Sequence, residues 1–437
     1  MTEQSSWGFA TRQIHSAQVP DPTTGARALP LYQTTSFVFE SAEQAANRFA
    51  LTDLGPIYTR ITNPTQEVVE SRIADLEGGV GGLLVASGQA AETLAILTIA
   101  EAGDTIVASP SLYGGTFNLF RHTLPKLGVT VNFVENPDDP ESWRAAADEN
   151  TKLFFGETIP NPKGDILDIE AVSAVAHEIG VPLIVDNTVA TPYVLNPIKH
   201  GADIVVHSAT KYLSGHGTTI AGVIVDGGTF PWGDHPERFA NFNTPDPSYN
   251  GLVFKDLGAP AFILKARTQG LRDTGAAISP FNAWLVGQGV ETLSLRVERH
   301  LENTAKVAEF LTSRPEVGTV TWSSLPDSPY YALAQKYTPK GAGAVLTFEL
   351  ASGGKDAGIA FVDALTLHSN VANIGDVRSL VIHPASTTHS QLTEEQLAAA
   401  GITAATVRLA VGVEDIEDIL ADIEQGLAAA TAQGGNA

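Results

Sequence analysis

Seven short apolar runs punctuate the first half of the chain, at 82–86, 105–108, 129–134, 153–156, 183–185, 204–206 and 222–225. Several are continuously apolar instead of alternating, as in Leu183-Ile184-Val185 and Ile204-Val205-Val206, which is the pattern of strands covered on both faces. Amphipathic stretches such as 171–179 lie between them, so the pattern predicts an α/β domain with a mainly parallel sheet. A helical pattern from Thr65 to Gly78-Gly79 precedes the first run, and another occupies 92–101. The stretch 227–254, rich in Pro, Gly, Asn and aromatics, predicts a long irregular insertion. Beyond it, 291–313 sets Leu293, Val297, Leu301, Ala305 and Ala308 on one stripe with Arg296, Arg299 and Glu302 elsewhere, and Pro315 stops the helix. Residues 414–428 repeat the pattern with Ile416, Ile419, Leu420, Ile423 and Leu427, and 343–350 reads as a strand between the two helices. A smaller α+β domain is therefore expected at the C-terminus, with the Ala/Gly-rich last ten residues frayed. Residues before about 60 have little periodic pattern; 17–30, with Pro20, Pro22, Gly25 and Pro30, reads as an extended arm that lies on another surface, a neighbouring subunit. The expected division is an arm at 1–64, the α/β domain at 65–275 and the α+β domain at 276–437.

Composition narrows the function. The 437 residues carry 26 basic and 49 acidic side chains, a formal charge of −23, which argues against nucleic acid and anionic membrane surfaces. An apolar share of 43% is ample for cores, and the length exceeds what one core organises. The absence of cysteine removes disulfides, thiolate zinc sites, iron–sulfur clusters and a cysteine nucleophile, and fits a reducing cytoplasmic setting. The N-terminal stretch has no basic start leading into an apolar run, and no run approaches a membrane span. Dinucleotide, P-loop and zinc-protease motifs do not occur, and the 11 histidines are scattered, so no metal is expected.

Candidate chemistry gathers at strand ends, which face the ligand crevice in open α/β sheets. Lys211, one of only 11 lysines, follows an apolar strand and a small-residue turn, where desolvation lowers an amine pKa and favours Schiff-base chemistry. Ser208 and Thr210 beside it offer hydroxyls to a phosphate. Asp186 ends the run Val181–Val185 and is suited to pair with a pyridinium nitrogen. Gly88 and Gln89 open the helix at 92–101, where free N–H groups and the helix dipole favour a phosphate. Tyr113, after the run at 105–108, offers a ring to a planar cofactor. Singly, each has a bland alternative: a surface lysine, an N-cap aspartate, a common glycine turn, a core tyrosine. Together they form the inventory for pyridoxal 5′-phosphate (PLP).

With these residues in place, the chain resembles the Cys/Met-metabolism family of PLP enzymes, of fold type I, and within it the O-acetylhomoserine sulfhydrylases. The resemblance covers nearly the whole chain through eight ordered segments: Tyr58-Thr-Arg60-Ile-Thr-Asn-Pro-Thr, 86–91, 111–115, Asp186-Asn187-Thr188, 208–211, 266–284, 373–389 and 407–412. It implies that Lys211 carries PLP covalently, Asp186 holds the ring nitrogen, Tyr113 stacks on the ring, and Gly88, Gln89, Ser208 and Thr210 hold the phosphate. It further implies that Tyr58 and Arg60 reach the phosphate of a neighbouring subunit, in a dimer paired into a homotetramer. Arg408 would clamp the substrate carboxylate, with Asn161 and Asn373 also at the substrate. Arginine suits that task because its fork matches a carboxylate, and Arg408 sits on an apolar run that predicts a strand. Asn373-Ile-Gly375-Asp376 stands where compact lyases carry Ser-Leu-Gly, Gln89 stands where many relatives have methionine, and the stretches 227–254 and 266–275 also resemble the sulfhydrylases. The implied reaction is γ-replacement on O-acetyl-L-homoserine by sulfide or methanethiol, a small-molecule reaction in methionine biosynthesis. The rivals are a γ-lyase or cystathionine γ-synthase of the same family, and a non-catalytic scaffold, which the joint presence of Lys211, Asp186 and Arg408 disfavours.

Overall fold

The computed structural model describes residues 6–161, 163–387 and 402–434. Residues 388 and 389, the end of the expected 373–389 segment, lie outside the described residues, as do Pro162, the first five residues and the last three.

All seven apolar runs are strands of one sheet: β1 (Gly81–Val85), β2 (Thr105–Ala108), β3 (Thr130–Phe133), β4 (Thr151–Glu157), β5 (Leu183–Asp186), β6 (Ile204–His207) and β7 (Gly222–Asp226). Their order is β1-β7-β6-β5-β4-β2-β3; the neighbours from β6 to β3 are parallel, and β7 runs antiparallel to both β1 and β6. Successive residues face opposite layers. Leu83, Val85, Ile204 and Val206 join one core cluster, while Leu84, Val205, Val223 and Val225 join another with Val69, Ile73, Val286 and Val290. Burial on both faces is why β1, β6 and β7 show no polar alternation. The strand order reverses between β2 and β4, which places a crevice at the carboxyl ends of those strands.

The helices obey local signals. Pro64–Glu77 starts with Pro64 in its first turn, is capped by the Asn63 side chain, which accepts from Thr65 N–H at 2.9 Å, and stops at Gly78 with φ +83°. Gly88–Ile99 is capped by Ser87, whose Oγ accepts from Ala90 N–H at 3.1 Å. The stretch 227–254 is irregular as expected, yet it is no loose loop: Phe230, Trp232, Phe239, Phe242 and Phe254 are buried, Trp232 stacks on Phe242 at 4.1 Å, and Asn241 donates to the carbonyls of Thr98 and Ile99 at the end of the helix Gly88–Ile99.

The second sheet is β8 (Val317–Thr321), β9 (Val345–Leu350), β10 (Ser369–Asn370), β11 (Leu380–Ile382) and β12 (Thr406–Ala410), ordered β10-β11-β12-β9-β8 and antiparallel except for β10–β11. The helices Gly354–Ala364 and Ile416–Gly434 cover it, with Phe361, Ile419, Ile423 and Leu427 fully buried. The long helix Leu293–Thr312 serves both sheets: Leu293, Val297 and Leu301 pack with the large one, Val307, Ala308 and Leu311 with the small one.

Three expectations change. Ala305 is exposed and Val307 takes its place in the stripe, because the helix turns a different face to each sheet. Arg296, expected on the polar side, is buried and donates to the carbonyls of Tyr212, Leu213 and Gly289. The last ten residues are helical as far as Gly434, since Leu427 and Ala430 are buried. The start of the arm docks on its own chain: Gln13 bonds Ser294, and Arg72 binds the Ser16 carbonyl and Gln18. No helix among the described residues is long and apolar enough to cross a membrane, and none of their His, Asp and Glu side chains cluster as metal ligands.

Candidate active site

Lys211 leaves β6 on a turn held from below by Arg296, whose guanidinium binds the next two carbonyls, at Tyr212 (2.8 Å) and Leu213 (3.3 Å). Its Nζ donates to Asn373 Oδ1 at 2.5 Å, and the Asn373 carbonyl accepts from Arg408 Nη2 at 3.2 Å. One asparagine thus holds both candidate cations of the site. Burial and the Arg408 charge lower the Lys211 pKa, the condition for a neutral, nucleophilic amine. Gly375, at φ +73°, lets the Asn373 loop close: a Cβ there would lie 2.7 Å from Tyr212 N and 3.0 Å from Lys211 Cβ.

Arg408 is on β12, a central strand between β11 and β9, opposite Ile382 and Thr347. That position excludes an exposed edge-strand arginine. Burial pulls its pKa down to about 10, so it remains charged at neutral pH and carries its charge into a poorly hydrated place.

Asp186 closes β5 beside Glu157 at the end of β4, its register partner. Asp186 Oδ1 accepts from Thr188 N–H at 2.8 Å, a local turn bond that coexists with any ligand role. Burial raises its pKa, opposed by the Thr188 hydrogen bonds. Thr188 Oγ1 in turn accepts from Ser208 N–H at 2.8 Å, tying the β5 and β6 ends together. The Thr210 hydroxyl is engaged with Ala221, donating to its carbonyl at 3.2 Å and accepting from its N–H at 3.0 Å.

Tyr113 is 56% exposed, which excludes the core-packing reading, and its N–H donates to Glu157 Oε1 at 2.6 Å. Gln89 Nε2 donates to Glu92 Oε2 at 3.2 Å. Tyr58 and Arg60 stand apart: the Arg60 guanidinium lies 5.5 Å from the Tyr58 ring centroid, and Tyr58 is 42% exposed. Among the described residues, no hydrogen bond joins either side chain to the Lys211 cluster.

The fit to PLP is testable on the cradle itself. A Cβ on Gly88 would fall 2.7 Å from Ser208 Cβ, and one on Gly222 would meet the Ser87 carbonyl, so the helix start and the Ser208–Lys211 turn meet with no room for a side chain. The first-turn amides of Gly88 and Gln89 have no carbonyl partner within their helix, the arrangement that binds a phosphate. Asn161 Oδ1 is buried without a hydrogen-bond partner among the described residues. A lowered lysine, a buried aspartate, an exposed ring and an amide cradle all fit the cofactor.

Sequence reasoning missed Glu92, Glu157, Thr116 and Arg296. Two signals were available: Glu157 ends a strand as Asp186 does, and Glu92 is the one charged residue of the mostly apolar helix Gly88–Ile99.

Fold and site together define a PLP-dependent enzyme of the α/β class. The Cys/Met metabolism PLP-dependent enzyme family matches residues 10–428, and the chain belongs to it. It is 59% identical over 426 residues to an O-acetyl-L-homoserine sulfhydrylase of Corynebacterium glutamicum, covering 97% of each chain. It is 50% identical over 422 residues to O-acetyl-L-homoserine sulfhydrylase 1 of Thermus thermophilus, covering 96% of this chain and 100% of that one. A crystal structure of a putative O-acetylhomoserine (thiol)-lyase from Campylobacter jejuni, containing a pyridoxyl-lysine monophosphate, superposes with a TM-score of 0.92 at 42% identity, covering 97% of this chain and 100% of that one.

Proposed function

We propose that the protein catalyses γ-replacement on O-acetyl-L-homoserine, with sulfide as the incoming nucleophile, releasing L-homocysteine and acetate. The observation that carries this reading is the Lys211–Asn373–Arg408 bridge, a desolvated amine beside a buried arginine, in a chain 59% identical along its length to a sulfhydrylase of that name. PLP would be held by Lys211 at its aldehyde carbon, Asp186 at its ring nitrogen and Tyr113 on its ring face. Gly88, Gln89, Ser208 and Thr210 would hold its phosphate, with Asn161 completing the polar lining. When bound, PLP supplies an electron sink for the pair released at the substrate Cα.

Arg408 binds the substrate α-carboxylate, with the Asn373 carbonyl fixing the guanidinium. That orients the Cα–H toward the Lys211 amine, which removes the proton and then moves protons at Cβ, so that acetate leaves Cγ and sulfide bonds in its place. The small thiol comes from solution, and no protein cysteine is required.

Tyr58 and Arg60 are assigned to the phosphate of a second subunit, in a dimer of dimers. Support comes from the lack, among the described residues, of any hydrogen bond from either side chain to the Lys211 cluster, and from exposed apolar side chains in the same stretch of chain: Val38 is 95% exposed, Leu54 70% and Phe49 62%. An arm at 1–64, a cofactor domain at 65–275 and a C-terminal domain at 276–437 complete the proposal, with Leu293–Thr312 as the helix shared by the last two. A cytoplasmic location completes the reading, and the absence of cysteine is compatible with it.

The test is an assay with O-acetyl-L-homoserine. Sulfide-dependent release of homocysteine and acetate is expected. Equal consumption without sulfide, yielding ammonia and 2-oxobutyrate, would make the enzyme a γ-lyase.

A further inference from the structure

Three carboxyl groups are buried together at the end of the sheet where the ring nitrogen is assigned. Asp186 and Glu157 are register partners at the ends of β5 and β4, and Glu92 reaches them from the helix Gly88–Ile99. Glu92 is 3% exposed, Glu157 6% and Asp186 9%. Among the described residues, none of the three forms an ion pair with a lysine, arginine or histidine. The basic group that influences Asp186, His207, is itself bonded to Glu77 at 2.6 Å. Three negative charges in one poorly hydrated place without a cation are not sustainable; such a group lowers its charge by keeping protons.

The geometry says where one proton lies. The Glu92 and Asp186 side chains are within hydrogen-bonding reach of one another. Two carboxylate groups are both pure acceptors, so a bond between them requires a proton on one. Glu92 is fixed by two donors of its own: Thr116 Oγ1 donates to Oε1 at 2.9 Å and Gln89 Nε2 to Oε2 at 3.2 Å. Asp186 has the Thr188 N–H at 2.8 Å, a partner that favours the ionised form. Glu157 receives the Tyr113 N–H at 2.6 Å and faces Asp186 and Glu92.

We propose that Glu92 is a positioning residue held as a neutral acid, donating its proton to Asp186 so that Asp186 stays ionised for the cofactor's ring nitrogen. The inference rests on the assignment of Asp186 to that nitrogen. It gives Gln89 and Thr116 a task the phosphate reading does not: they hold the Glu92 carboxyl in place. Burial, and after it the Asp186 charge, push the Glu92 and Glu157 pKa values well above the usual carboxylate range, in agreement with a neutral Glu92.

The test compares Glu92→Gln, which keeps the shape and an N–H donor, with Glu92→Ala, which loses both. Two readouts are taken. Infrared spectroscopy of the apoprotein at neutral pH follows the C=O stretch of protonated carboxyl groups, and equilibrium dialysis measures PLP affinity. Glu92→Gln should lose one protonated-carboxyl signal and hold PLP about tenfold or more tightly than Glu92→Ala, the scale of one hydrogen bond to a charged group. If the protonated-carboxyl signal is unchanged in Glu92→Gln, Glu92 is ionised and the proposal is overturned. Equal PLP affinity in the two variants would overturn it too. Asp186→Asn is the control: it should still bind PLP but turn over very slowly, so near wild-type turnover would mean the ring-nitrogen assignment itself has failed, while slow turnover with the Glu92 variants behaving alike would mean only the role of Glu92 has.

Discussion

Arg408 illustrates how much one side chain gains from its setting. On a central strand, with the Asn373 carbonyl at 3.2 Å, its guanidinium is fixed in place, which suits the carboxylate-binding role proposed for it. Arg408→Ala should lose a charge-assisted pair of about 1.5–3 kcal/mol, or roughly 10- to 150-fold in kcat/KM. Absorbance titration with an unreactive amino acid isolates the binding part; unaltered affinity would remove the carboxylate role from this residue. Arg408→Lys should recover only part of the loss, because an ammonium lacks the planar fork. Cofactor retention should not change, since Arg408 is on the small sheet and the phosphate cradle is on the large one.

At the scale of elements, the active site depends on loops that close against one another. The segment carrying Asn373 reaches Lys211 because Gly375 adopts φ +73° where a Cβ would strike the Tyr212 amide. Gly375→Ala combines left-handed strain with a backbone clash, and should cost about 1–3 kcal/mol of stability. Its larger effect falls on catalysis. A displacement of about 1 Å of Asn373 from Lys211 is expected to lower kcat/KM on the order of a hundredfold. Thermal unfolding and steady-state kinetics on the same sample separate the two; an activity loss no larger than the loss of folded protein would show that the loop does not position the lysine.

For the whole molecule, two expectations concern assembly and pH. If Arg60 serves a second subunit, mixing Arg60→Ala with Lys211→Ala under exchange conditions should restore activity, because one site in each hybrid dimer is intact. No recovery despite demonstrated exchange would return Arg60 to its own chain. The pH expectation lies where the long shared helix meets the small sheet. His300, 1% exposed, donates from Nδ1 to the Val411 carbonyl at 2.6 Å and meets Tyr212 edge-on. Burial, assisted by the Arg296 charge and opposed by the Val411 bond and Asp376, lowers its pKa from 6.5 to about 4. A folded-state pKa below the unfolded one means that the unfolded chain takes up the proton first. The contribution is whole above about pH 6.5, declines as pH falls and is gone below about pH 4; its scale is roughly 3 kcal/mol. Urea midpoints of wild type and His300→Gln between pH 7 and 4.5 should converge as pH falls; parallel curves would place the acid sensitivity elsewhere.

Six strands of the large sheet were legible because each contains a contiguous apolar run, and a strand buried on both faces writes its burial into consecutive residues; the edge strand β3, Thr130–Phe133, was legible instead by alternation. Lys211, Asp186 and Tyr113, the residues proposed for the cofactor, were picked out for a related reason: each follows such a run, and strand ends in this class of sheet face the crevice. β8, β10 and β11 escaped notice because an exposed edge of five residues, a bridge of two and a buried run of only three leave too short an apolar signature. Arg296 was read as polar surface because a helical stripe says which residues share a face and not what lies opposite; here it is the carbonyl row after Lys211. Glu92, Glu157 and Asp186, or Lys211, Asn373 and Arg408, are far apart along the chain. Only the tertiary structure decides that they meet, because hydrogen bonding and desolvation depend on distance in space, which local periodicity does not encode.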